Sequence, residues 1–499
     1  MTSETTVRAE IGKEKEAQRS DISKALETWF LVLTLMALST YVEIYGPTLI
    51  DLKIKLDTDY EQVAVAVSGR SVGWFPGSIV AGFLVDKFSG YNHLLIAIGL
   101  DIAAAVTVTI PWSPNVTCMW ILCFIGGFVE SFLNIATTRI LFNIWREKSA
   151  SFLMLIHLGY GIGSFMVPLY SNPFLADKVY QSSDMNRSCT TTESAASLTN
   201  RSTSSDKSST KENSKAEYAY AISASIVVSV SIAFYFYQIR ESRNKKIQSS
   251  NDIKLDTNGK DSTTGGNRSF KEMINPATCA NGRFWYGSSI LLLIVFYFGN
   301  NAGGDRMIGN FIRSYAIDHL GFSKNSASAL NTTYWFTFSA GRLIFIFLAR
   351  CLSVRILIIV ESGGMAVSSI LLALFADDSS LSFWIIMQIF SFFSAAIWPT
   401  GIAWTNYHIE LTGLGMALQI LGASVGGICY MRLIGYLYKN FGSKSFLFQT
   451  VAYGVFQFVL ALCLDIVGAL HGNRFQSDTS DTVEIEMSSK TCDTVKSGK

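Results

Sequence analysis

The sequence predicts an all-α membrane protein of about twelve transmembrane helices, arranged as two six-helix pseudo-repeats around a polar linker. Three observations predict it. Of the 499 residues, 49% are hydrophobic and only 16% charged, where an ordinary soluble domain carries about 25% charged residues. The apolar residues recur in runs of about 20, the length that crosses a bilayer. A polar segment rich in Lys and Arg, 238–283, divides these runs into two comparable sets.

Composition also excludes several classes. The net charge is only +2, and the basic residues lie in connections without alternating aromatics, so no nucleic-acid partner is expected. The eight cysteines and five histidines are scattered, without CxxC or metal-ligand spacing, so no metal site is expected. Residues 1–27 are polar and mixed in charge. They form a tail without the apolar core of a cleavable signal, so the first span itself directs insertion.

Apolar runs predict spans over 28–47, 62–85, 94–111, 118–138, 149–170 and 218–237, which make an N-terminal half over 28–237. Within it, 172–217 is a Ser/Thr-rich external loop without the apolar content to pack. The C-terminal half, 284–471, begins with a run over 284–315 that is too long for one straight span. Gly299, Gly303 and Gly304 precede Asp305 and Arg306 there, so a kinked or interrupted helix is expected. Five further runs lead to a polar tail over 472–499.

Charge sets the orientation. Arg139, Arg146, Lys148, the cluster from Arg240 to Arg283, Arg350 and Arg355 fall on one set of connections, and the opposite set holds almost none. The positive-inside rule makes that side, and both termini, cytoplasmic. The plasma membrane is the expected location and a monomer the expected state. Asn186-Arg-Ser and Asn200-Arg-Ser in the external loop are glycosylation acceptors by pattern, although Asn267-Arg-Ser in the cytoplasmic linker matches the same pattern.

Charges inside spans carry the most information, because an acid at the bilayer centre costs on the order of 3 kcal/mol. Glu43 lies 14 residues after Trp29, roughly 21 Å along a helix at 1.5 Å per residue. Glu130 lies 12 residues after Cys118, roughly 18 Å by the same rise. Ser39/Glu43 and Glu130/Asn134 each stand at i, i+4, so each helix offers one polar stripe. Two such carboxylates suit a proton or Na+ site, because either cation relieves their burial. The alternative is structural, with Glu43 satisfied by Arg70 on the next helix. Asp305 is either a midplane site residue at a helix break or a wetted helix end. Neutral candidates for a solute are Asn300, Asn301, Gln388, Asn406 and Gln419. Trp398 and Trp404 offer rings that stack on a sugar or anchor at the interface.

No P-loop, HExxH, nucleophile elbow or CxxCH occurs, so enzyme chemistry is not expected and no cofactor beyond a coupling cation is implied.

The hairpin GFLVDKFSG after the second span resembles the G-x-L-x-D-R-x-G-R-R signature of the major facilitator superfamily. Gly82, Leu84, Asp86 and Lys87 match it. Ser89 is inserted before Gly90, and Tyr91, Asn92 and His93 stand where cations are usual. The resemblance implies an inner-gate latch of Asp86 with Arg139 at the end of the fourth helix. The segments SGRSVGWFPGSIVAGFLVD, GGDRMIGNFIRSYAIDHLGFS and IWPTGIAWTNYHIELTG are similar to the sodium-dependent glucose transporter-like group, related to fucose permeases. In those permeases acids on the first and fourth helices couple to protons, and Glu43 and Glu130 match them in position and type. Asp305, Gly309 and Tyr315-Ala316 fit the group's spacing on the seventh helix.

The expected function is therefore secondary active transport. A hexose or similar small polar solute would move by alternating access through a cavity between the halves, in symport with Na+ or H+. An uncoupled facilitator, or a receptor or scaffold that moves nothing, would keep the same architecture. A heptahelical receptor does not fit the number of runs.

Overall fold

The computed structural model describes residues 23–88, 91–145, 149–176, 214–252, 276–280, 282–376, 379–409 and 413–470. Asn186, Asn200, the N-terminal tail before residue 23, the tail over 472–499 and most of the linker lie outside them.

The described chain is helical. α1 covers 23–42 and α2 Tyr45–Lys55. There follow α3 (Tyr60–Lys87), α4 (Asn92–Thr109), α5 (Val116–Trp145), α6 (Ser149–Ser171) and α7 (Ala216–Asp252). A short α8 (Pro276–Cys279) precedes α9 (Phe284–Asp318), α10 (Lys324–Cys351) and α11 (Val354–Phe375). The last are α12 (Ser380–Ser394), α13 (Ile397–His408), α14 (Gly413–Phe441) and α15 (Ser445–Ala469). Among the described residues, nine spans are long and apolar enough to cross a membrane, with α1–α2 forming one and α12–α13 another. α3, α9 and α10, of 28, 35 and 28 residues, are long enough but more polar. Phe83, Phe236, Leu292, Leu374, Phe448 and Ile466 point outward, more than half exposed. Such outward apolar side chains fit hydrocarbon surroundings, and the chain is a multi-pass membrane protein.

Two interruptions of the helical ladder stand out. Pro47 has no N–H to give to the carbonyl of Glu43, and the helix opens into a turn at Glu43–Ile44. Pro399 does the same to Ala395, and the turn falls at Ala395–Ala396. Pro76 and Pro168 lie inside α3 and α6 without ending them. Arginines reach carbonyls at both opened sites: Arg70 Nη1 donates to Val42 O at 3.0 Å, one residue before the carbonyl that Pro47 frees, and Arg342 Nε donates to Ala395 O itself at 3.0 Å.

The expected interruption of the seventh span is not there. α9 runs unbroken from Phe284 to Asp318. Glycine keeps its N–H, so it does not open the ladder as proline does. Gly299 and Gly303 instead let α14 approach: a Cβ on Gly299 would stand 2.8 Å from Gly422 O, and one on Gly303 2.6 Å from Gly426 O. This is the small-residue packing of membrane helices.

Two compact units emerge. The first comprises the chain through Ile239 with Met307–Phe336 and Met431–Phe446; the second holds Arg240–Arg306, Thr337–Tyr430 and the chain from Leu447. Leu35, Leu100, Leu133, Ile156 and Val227 are among the core residues of the first, and Phe345, Leu357 and Ala396 form a smaller cluster in the second.

Glycine in the first unit allows a comparison. A Cβ on Gly127 would overlap the carbonyl of Arg70, whereas one on Gly82 meets nothing within 4 Å. Gly127→Val should lower stability by about 1–3 kcal/mol or more, and Gly82→Ala by no more than about 0.5 kcal/mol. Thermal unfolding of the detergent-purified variants checks both.

Candidate functional site

The first unit gathers its buried charges around the opening of the first helix. Arg70, in the sequence SGRSVG, is brought there because α3 and α5 touch backbone to backbone: a Cβ on Gly69 would stand 2.5 Å from Trp120 O. Gly127 faces the Arg70 backbone, and Glu130, three residues on, shares its face of α5. Arg70 Nε donates to Glu130 Oε2 at 2.8 Å, and each residue is only 4% exposed. Its Nη1 holds Val42 O, the residue before Glu43. Glu43 Oε1 accepts from the Tyr160 hydroxyl at 2.6 Å. Glu43 Oε2 lies beside Gly309, where a Cβ would stand 3.0 Å away.

Arg70 is thus primarily the partner of Glu130, while it also feels the charge of Glu43. Asn134 donates to the backbone carbonyl of Glu130 at 3.1 Å, one helical turn back. Removing one member of a buried pair leaves an uncompensated charge and costs about 3–5 kcal/mol.

The same unit holds a polar group near the ends of α2 and α9. Asp318 Oδ2 accepts from Tyr60 at 2.6 Å and Tyr438 at 3.0 Å. Lys439 Nζ lies 3.0 Å from Asp59 and 2.8 Å from Glu61. Lys53, Asp59, Tyr60, Asp318, Tyr438 and Lys439 line an open cleft of about 350 Å³. Burial is the largest single influence on the Asp59 carboxyl and raises it, but the Gln62 and Glu61 amides and the Lys439 ammonium together outweigh it and hold the group below its usual range. Deeper in, Arg313 is 1% exposed and donates to Pro47 O at 2.9 Å.

In the second unit, Asp305 Oδ1 accepts from Tyr453 at 2.9 Å, and the same hydroxyl accepts from Asn301 at 3.1 Å. Asn300 donates to Gln457 at 2.8 Å and accepts from Tyr430. Asp305 therefore sits in a hydrogen-bonded network on an intact helix. Gln388 accepts from Thr337 at 2.9 Å, Gln419 is buried and Asn406 exposed. Trp398 meets Phe298 edge-on at 4.8 Å. Trp404 is fully buried and stacks on His408 at 4.0 Å.

At the hairpin, Gly82 is exposed and Lys87 lies 5.2 Å from the Phe83 ring. Arg139 is exposed. The side chain of Asp86 lies outside the described residues, as do the sequons at Asn186 and Asn200.

Sequence reading passed over Glu361, fully buried on α11. Its signal was available: an acid inside the apolar run VRILIIVESGGM. Tyr160 and Tyr453 carried no comparable signal, since aromatic residues are common in such helices.

These helices make the fold of the major facilitator superfamily transporters. A crystal structure of the fucose:proton symporter of E. coli aligns over 90% of this chain and 99% of its own, with a TM-score of 0.57 and 15% identity. The E. coli xylose transporter XylE, inward open, aligns over 88% and 95% with a TM-score of 0.61 and 12% identity. By sequence, the chain is similar to human sodium-dependent glucose transporter 1, 24% identical over 82% of this chain and 72% of the relative. It is also similar to mouse sodium-dependent glucose transporter 1A, 25% identical over 81% and 88%. Major facilitator superfamily domain-containing protein 4A of Xenopus tropicalis is 21% identical over 87% and 90%. No family model matches. The two glucose transporter relatives and both structural neighbours are transporters, not enzymes.

The pair at the centre of the site makes a stability prediction. Arg70→Gln and Glu130→Gln should each lose about 3–5 kcal/mol, and the double variant should recover much of that. A double-mutant cycle on thermal unfolding in detergent reads the coupling; additive losses would remove the pair from this role.

Proposed function

We propose that the protein is a secondary active transporter that carries a hexose or similar small polar solute in symport with Na+ or H+, by alternating access. The nine apolar spans, with α3, α9 and α10, support twelve membrane helices in two six-helix repeats. The distribution of basic connections supports cytoplasmic termini, and residence in the plasma membrane as a monomer completes the reading. The names of the relatives support sugar as cargo; they name sodium in one group and protons in the other.

The observation that carries coupling is the reach of Arg70. It binds Glu130 through Nε and the Val42 carbonyl through Nη1, beside Glu43 at the opening of the first helix. A cation arriving at either acid weakens the hold of that acid on Arg70, because charge–charge attraction falls when a carboxylate is neutralised. The change is delivered directly to the helix opening. In this reading Glu43 and Glu130 take the cation, with Asn134 supporting α5 at Glu130. Asp305 and Asn301 supply polar contacts, and Gln388, Asn406, Gln419, Trp398 and Trp404 complete the solute-contacting set. Gly82, Asp86, Lys87 and Arg139 form the gate at the hairpin, and Asn186 and Asn200 carry glycans.

A second reading, uncoupled facilitation, is favoured by one fact: Glu130 already has Arg70, and Glu43 already has Tyr160. Labelled glucose uptake into proteoliposomes distinguishes them, with Na+ and pH gradients varied separately. Glu43→Gln and Glu130→Gln should each reduce gradient-dependent uptake at least about tenfold, the effect of about 1.4 kcal/mol. Unaltered uptake by folded variants would leave facilitation as the function.

A further inference from the structure

Other acids in the described helices have more support. Asp51 on α2 also leaves Oδ2 without a hydrogen-bond partner among the described residues, but its Oδ1 accepts two bonds, from the Ala176 N–H and the Ser214 hydroxyl, and Asp318 Oδ2 accepts from Tyr60 and Tyr438. Glu130 takes Arg70, Asp465 takes Arg355, Asp101 takes the hydroxyls of Ser231 and Tyr235, and Asp305 takes Tyr453. Glu361 on α11 differs. It is 0% exposed, its Oε1 accepts one bond, from Thr400 Oγ1 at 2.9 Å, and its Oε2 has no hydrogen-bond partner among the described residues.

The surroundings are built closely. Thr400 lies on α13, five residues after the turn at Ala395, and is 5% exposed. Gly401 lets α13 approach α9, since a Cβ there would stand 2.5 Å from the Tyr297 ring. Tyr297, fully buried, is near enough to feel the charge of Glu361, and its hydroxyl donates to Ile397 O at 3.1 Å. No cationic side chain faces the carboxyl among the described residues. Arg355, on the same helix, pairs with Asp465 at 2.7 Å, and His408 Nδ1 lies 3.1 Å from Trp404 O.

An ionised carboxylate supplied by one hydroxyl in such a place is untenable without a positive partner. We propose that Glu361 and Thr400 form a binding site for a small monovalent cation, H+ or Na+, separate from Glu43 and Glu130. Either ion satisfies the open Oε2. Its arrival and departure act on α13, the short helix that begins at the turn opened by Pro399.

Infrared difference spectra of the full chain in liposomes test this, recorded as Na+ is raised at fixed pH and as pH is raised without Na+. Wild type should show a carboxyl signal that Glu361→Gln lacks, and the titration in which it occurs names the ion. Superimposable spectra from the two proteins in both titrations would overturn the site, including the case of a carboxyl that never exchanges its proton. If Glu361→Gln does not fold, Thr400→Val should shift the midpoint of the same signal at least about threefold; an unchanged midpoint would overturn the proposal. Neither readout depends on whether sugar is carried or on the roles of Glu43 and Glu130.

Discussion

A spanning helix surrounded by hydrocarbon must satisfy its backbone internally, so every carbonyl released by a proline needs another donor. In this protein arginines donate to carbonyls at the two opened helices, and at α12–α13 the carbonyl is the one that the proline releases. Arg70 reaches Val42 O, Arg313 reaches Pro47 O, and Arg342 reaches Ala395 O. Arginine suits the task because its several N–H groups are fixed in a fork, so one side chain can hold a carbonyl and a carboxylate together. Arg70 does both, and its buried charge in turn requires Glu130. That guanidinium therefore links the turn that Pro47 opens in the first helix to Glu130 on α5, across the contact that Gly69 and Gly127 allow.

The intramembrane acids then separate by what supplies them. Glu130 is held by a charge, Asp305 by a hydroxyl within an amide network, and Glu361 by a single threonine. Glu43 lies between these cases, bonded to Tyr160 and within the field of Arg70. A cation has the largest effect where the existing support is smallest or where the support is itself tied to the backbone. Glu361 meets the first condition, and Glu43 with Glu130 the second.

Much of this was legible in the residues. Runs of apolar residues located the helices because hydrocarbon thickness leaves little freedom in their length. The depth of Glu43 and Glu130 marked them because an acid in a span is costly. Their partners were harder to read. Arg70 follows Glu43 in the chain by one helix, yet the glycines at 69 and 127 bring it to Glu130 on α5. The glycines at 299 and 303 read as a break and serve as a packing surface, a difference set by Gly422 and Gly426 on a distant segment. The openings that do occur, in the first span and between α12 and α13, are carried by Pro47 and Pro399, four residues after the carbonyls they release. Glu361 follows the same rule as Glu43, an acid inside an apolar run, and its signal was there to be read.

The central claim is that one guanidinium ties Glu130 to the opening of the first helix. Arg70→Lys keeps the charge but lacks the fork that holds a carboxylate and a carbonyl together. Sugar counterflow and gradient-driven sugar uptake, measured on the same proteoliposomes, test it most directly. The account predicts that Arg70→Lys retains counterflow and loses uptake driven by the cation gradient. Gradient-driven uptake equal to that of wild type would contradict it.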